Sequence, residues 1–129
     1  MSVFTRTVEV VTQGSAGVAS GSSRLNVGPA RLLAVRLDYG ATAPATTDVT
    51  VRTDRREAGD DWRNLLIRSN SNADGVFYPR VNAHKTDATT IPAGDNPYEP
   101  QVVHGYIEVL VNQCNAIDPA LKATLYFEG

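Results

Sequence analysis

The chain has 129 residues, with 12 basic and 14 acidic side chains and a net charge of −2, at a mass of 13.9 kDa. That size fits one domain, one that buries roughly two thirds of its unfolded surface and needs no disulfide or metal staple. With no Lys or Arg run longer than Arg55-Arg56, it lacks the continuous basic stripe that a nucleic-acid groove needs to neutralise phosphates.

Apolar residues recur mainly with period two, and helical spacing is not sustained over any long window, so the chain reads as strands. Val3 to Thr12 is β-branched and alternating, and Gly14-Ser15-Ala16-Gly17 interrupts it. Residues 14–29 then read as a flexible arm, within which Val18 to Asn26 is small and polar enough to be either an arm or a weak edge strand. Ala30 to Tyr39 alternates as a strand with Leu33, Val35 and Leu37 on its inner face. Thr47 to Asp54 places Val49, Val51 and Thr53 on one side. A charged turn from Arg55 to Asp61 leads to a further strand candidate, Trp62 to Arg68, for which a single helical turn is the alternative.

Asn70-Ser71-Asn72-Ala73-Asp74-Gly75 has the alternating oxygens and the sixth-place glycine of a calcium loop. It lacks the first-position Asp, and Val81 stands where the bidentate Glu is required, so it reads as a hairpin turn. Val76 to Val81 looks like a strand that Pro79 confines to an edge or bend. Residues 84–100 form a long Pro/Gly-containing loop, of a length that is often functional. Gln101 to Asn112 is the longest strand, with Val103, Ile107, Val109 and Val111 on one face and a bulge expected at Gly105. Ala120 to Glu128 follows with Leu121, Ala123, Leu125 and Phe127 aligned, and the two are expected to pair as a hairpin. Seven or eight short strands separated by turn signals predict a single all-β domain, an antiparallel β-sandwich or barrel-like sandwich of jelly-roll or immunoglobulin-like kind.

No catalytic, metal or cofactor site can be assembled from the motifs. His84, His104 and Cys114 lack the paired short spacings of a zinc site. No G-x-S-x-G elbow is present, and Asp60-Asp61 are adjacent rather than opposed as glycoside hydrolysis requires. Cys114 alone cannot form an internal disulfide, and no N-x-[ST] acceptor occurs. Arg6 and Glu9 interrupt the apolar stretch at the N-terminus, which reads as neither a signal peptide nor a membrane span. The residues nominated for contact with a partner are Trp62, Tyr78 and Tyr98, aromatics next to loops, with Arg55 and Arg56 in the charged turn.

Taken in order, ARLLAVRLDYG, TAPATTDVTVRT, the Tyr-Pro-Arg of VFYPRV, the long Thr/Gly/Pro loop and GYIEVLVNQ resemble short proteins encoded among the head genes of tailed bacteriophages, including capsid decoration or cement proteins. The resemblance spans about Arg31 to Phe127. It implies a non-catalytic, cofactor-free β module on the virion surface, made in the host cytoplasm. The implied partner is the major capsid protein, and the implied assembly is a homotrimer or homodimer, with no nucleic acid and no membrane involved. Head fibres and tail components are encoded in similar neighbourhoods, so a carbohydrate-binding or adhesion module is the alternative role.

Overall fold

A computed structural model describes residues 2–53, 63–82 and 98–129. Eight strands form in chain order: β1 Val3–Val10, β2 Ala19–Tyr39, β3 Asp48–Thr53, β4 Asn64–Arg68, β5 Gly75–Phe77, β6 Arg80–Asn82, β7 Tyr98–Cys114 and β8 Leu121–Glu128. All pairings are antiparallel, in the order β1-β8-β2-β7-β3-β4, with β5 added on β2 and β6 on β7. The fold is all-β, as the alternation predicts: one continuous sheet folded into a sandwich-like arrangement in a single small domain.

β2 organises the fold. Its 21 residues would span about 65 Å if straight, whereas a domain of this length is only roughly 35 Å across. The strand therefore bends and serves both layers. Ala19 to Leu32 pairs with β7, and Arg31 to Tyr39 pairs with β8. Two irregularities allow the bend. Gly28-Pro29 falls where the β7 register shifts between Val27 and Ala30, opposite Gly105 at φ 87°. The β8 register shifts between Leu32 and Ala34. The irregularity expected at Gly105 is present, although the additional residue belongs to β2.

Several expectations are corrected here. Ala19 to Asn26 is not an arm: it is strand bonded along one side to β7, with the β8 ladder starting only at Arg31 and Gln13 bridging Ser20 on the other side, as the edge-strand alternative has it, and only 14–18 of the interval 14–29 precedes it. The polar composition misleads because alternate residues face outward while Ala19, Leu25 and Val27 are buried. Leu33 is only half-buried, because the shift after Leu32 changes which face points inward, to Leu32 before it and Val35 and Leu37 after it. β7 and β8 do not form a hairpin, since β2 lies between them in the sheet order. Each buries a full apolar face against the other layer, which edge pairing alone would not achieve. Residues 69–74 likewise cross between layers, from β4 beside β3 to β5 beside β2, instead of closing a hairpin. Tyr98 to Pro100 belong to β7, not to a loop, and the rest of 84–100 lies outside the described residues.

The core is one cluster fed by both layers. Val49, Val51, Val103, Ile107, Val109 and Val111 come from one, Val35, Leu37, Leu121, Ala123, Leu125 and Phe127 from the other. Phe4 stacks on Phe127 with ring centroids 5.2 Å apart. The end of β1 closes on the first half of β2. The Ser23 hydroxyl donates to the Glu9 carbonyl at 2.5 Å, Gln13 bridges Ser20, and the Val11 carbonyl leaves no room for a Cβ on Gly21. Glycine is required there by this close backbone approach.

The crossovers are tied by side chains. The Thr12 hydroxyl donates to the Asn115 carbonyl at 2.5 Å and accepts from the Ile117 amide at 3.0 Å. In the calcium-like turn the side chains make structural bonds: Asp74 Oδ1 accepts from the Tyr39 amide at 2.7 Å, the Ser71 hydroxyl oxygen accepts from the Ala73 amide at 3.3 Å, and Asn72 Nδ2 donates to the Ala43 carbonyl at 2.9 Å. Asn70 takes a left-handed φ of 51°, as Asn tolerates.

Candidate functional site

The outward positions of the strands near the β2 crossing form one band. Residues directly opposite in an antiparallel ladder share a face. Val102 of β7 is opposite Arg31 of β2, Arg31 is opposite Glu128 of β8, and Glu128 is opposite Val3 of β1. This row crosses four strands at the point where β2 is bonded on both edges. Its two ends are apolar and open to solvent, Val102 at 60% and Val3 at 65% exposure.

The β6–β7 ladder extends the band. Arg80 pairs with Pro100. Tyr78 stands two residues before Arg80 as Val102 stands two after Pro100, so Tyr78 lies towards the Val102 end. Tyr98 and Val102 occupy alternate positions of β7 and are both exposed, while Gln101 and Val103, which flank Val102, are buried. Both tyrosines are about two-thirds exposed. These two nominated aromatics are therefore on the surface and belong to one region. Trp62, Arg55 and Arg56 lie outside the described residues.

Three arginines that were not nominated surround Val102. Arg31 is its cross-strand neighbour. Arg63 donates from Nη2 to the Val102 carbonyl at 2.5 Å, and its own backbone is fixed to β3 through the Thr53 hydroxyl at 2.9 Å. Arg80 donates from Nη1 to the carbonyls of Leu33 at 2.9 Å and Pro79 at 2.7 Å, with its guanidinium 5.9 Å from the Tyr78 ring centroid. Leu33 is the residue at the β2 irregularity, and its carbonyl anchors Arg80. A shallow groove of about 420 Å³ runs beside the row, lined by Pro29, Ala30, Arg31, Val102, Glu128 and Gly129. Such a groove, apolar with a few fixed charges, suits an attached surface or chain better than an enclosed small molecule.

The other polar clusters are structural. Glu108 is only 4% exposed although it faces outward. It lies opposite Arg24 on one side and Arg52 on the other, accepting from Arg52 Nε at 3.0 Å and Nη2 at 2.8 Å, with Arg24 Nε at 3.4 Å. Tyr39 has its phenol pushed above the ordinary tyrosine range by burial, with Asp74 adding to the effect and Arg68 opposing it. Arg68 itself lies over the Phe77 ring at 4.5 Å. His104 is exposed and Cys114 is fully buried. Among the described residues, His, Cys, Asp and Glu form no group of three suited to a metal ion, and no helix is long and apolar enough to cross a membrane.

Sequence reasoning could not have assembled Arg31, Arg63, Arg80 and Val102, which are distant in the chain and meet only through register. Their one local signal was Tyr-Pro-Arg at 78–80. Comparison with protein-family models, with curated proteins and with solved structures found no match for the chain.

Proposed function

We propose that the chain is a non-catalytic structural protein of a bacteriophage particle that binds the outer surface of the head, through the major capsid protein, and stabilises or decorates the shell. The observation that carries this reading is the exposed group of Tyr78, between β5 and β6, with Tyr98 and Val102 of β7, the last held between buried Gln101 and Val103. Exposed aromatic and apolar side chains in one region mark contact surfaces. A modest contact repeated over a lattice gains through multivalency. The resemblance of the chain to phage head proteins supplies the identity of the lattice, and assembly as a trimer or dimer on the virion belongs to the same proposal.

A second reading, a carbohydrate-binding or adhesion module of a head fibre or tail component, is favoured by one observation: the rings of Tyr78 and Tyr98 are accessible for stacking on a sugar. Co-sedimentation with expanded capsids of the parent phage, run beside a glycan array, separates the two. Capsid binding with a blank array supports decoration. Glycan binding that Tyr78→Ala abolishes, without capsid binding, supports adhesion and refutes decoration.

A further inference from the structure

We infer that the band docks on an acidic, partly apolar protein surface, with Arg31, Arg63 and Arg80 supplying the complementary charge and Tyr78 and Val102 the apolar contact. The inference rests on the docking function proposed above and adds the chemistry of the partner.

The argument is one of charge complementarity. Arg24 and Arg52 meet Glu108, and Arg36 meets Asp38 at 3.2 Å. The three arginines around Val102 differ. Among the described residues none of them is ion-paired with a carboxylate, and the bonds of Arg63 and Arg80 go to backbone carbonyls. A carbonyl orients a guanidinium but leaves its charge in place, and it occupies only part of a five-donor fork. Among the described residues the remaining donors meet no carboxylate partner and lie beside solvent-exposed apolar groups, in a chain whose overall charge is −2. A local positive field of this kind steers an acidic partner and rejects basic ones.

Arginine beside tyrosine is also used on single-stranded nucleic acid. Here the row continues from Arg31 directly to Glu128, so a phosphate backbone following the band meets a carboxylate. The net charge is also of the wrong sign for a nucleic-acid surface. A protein surface, whose own charges are patchy, can match both.

The test uses the intact chain and parent-phage capsids assembled without it, in a pelleting titration. Wild-type binding is expected to weaken about tenfold between 0.05 and 0.5 M NaCl as the charges are screened. Arg31→Glu and Arg80→Glu are each expected to weaken it about tenfold or more, since a reversed charge opposes the partner. Arg6→Glu, at an exposed arginine on β1 outside the band, is expected to stay within about twofold. Among the described residues the Arg31 side chain, unlike that of Arg80, is not bonded to a backbone carbonyl, so Arg31→Glu keeps the test valid if Arg80→Glu disturbs the irregularity at Leu33. Wild-type binding that the band variants leave unchanged overturns the inference while the docking function stands. Absence of wild-type binding at every salt concentration overturns both. A fluorescent 20-residue oligo(dT) bound as tightly as capsids, and lost in the same variants, overturns the choice of a protein partner.

Discussion

Replacing Glu108 by glutamine tests whether the outward-facing carboxylate holds the β2–β7–β3 sheet together. The substitution keeps shape and one acceptor oxygen but removes the charge. Arg52 places two donors on Oε1, at 3.0 and 2.8 Å, and its side chain is 29% exposed against 6% for Glu108. Hydrogen bonds to a charged group contribute about 1.5–3 kcal/mol against about 1 kcal/mol for neutral ones, so the pair of bonds loses roughly 2 kcal/mol. Arg24 is half exposed and its contact is longer, 3.4 Å, which adds about 0.5 kcal/mol. The total is about 2.5 kcal/mol. Unfolding entropy for a chain of this length makes that a fall in Tm of about 9 °C. Urea titration and differential scanning calorimetry of E108Q measure it. The double variant Glu108→Met, Arg52→Met is expected to recover most of the loss, because a matched apolar pair avoids the desolvation of both charges. E108Q within about 0.5 kcal/mol of wild type would refute the account, as would a double variant less stable than E108Q.

Two further perturbations address the backbone and the buried phenol. Gly21→Ala is expected to cost about 2 kcal/mol or more, because its Cβ would clash with the Val11 carbonyl, whereas Gly28→Ala meets nothing within 4 Å and should stay within about 0.5 kcal/mol; equal urea midpoints for the two variants would sink this reading. For Tyr39 the folded pKa lies above the ordinary 10.0, so the unfolded chain ionises first, and the stabilisation is complete below pH 10 and lost as pH rises through the folded pKa. Tyr39→Phe should therefore show a smaller drop in urea midpoint between about pH 8 and pH 10.5 than wild type, and an identical drop in both proteins would count against it.

Legibility in the sequence followed physical regularity. β3, β7 and β8 were readable because each has one uniformly buried face, so period two survives from end to end: Val49 and Val51, Val103 to Val111, Leu121 to Phe127. The start of β2 was not readable, since serine and arginine occupy its outward positions and Gly21 is present for a close approach that involves a residue ten positions earlier. The inner face of Ala30 to Tyr39 was misassigned at Leu33, because an irregularity inverts the alternation without any change in composition. The hairpin expected of β7 and β8 failed for a topological reason: adjacent strands with long buried faces were assumed to share an edge, when each was needed on a different layer. At the surface, Tyr78 and Tyr98 could be nominated as aromatics next to loops. The arginines beside them could not, since Arg31, Arg63 and Arg80 belong to three strands or strand approaches that only the ladder brings together.

The same irregularities that bend β2 also build the band. Leu33 falls between the two register segments of the β8 ladder, and Arg80 bonds its carbonyl. Because Arg31 and Val102 alternate with Leu32 and Val103 in the core, their Cα positions are fixed by packing before any partner arrives. Only side-chain rotamers remain to be ordered on contact, at about 0.5–1.5 kcal/mol each, whereas a flexible arm ordering its backbone would lose considerably more. Correcting 19–29 from an arm to a strand laddered to β7 thus changes the expected binding physics as well as the fold. Association through a preformed sheet surface calls for little rearrangement, so affinity should respond to charge and apolar substitutions on the band and hardly at all to substitutions in the turn at 14–18.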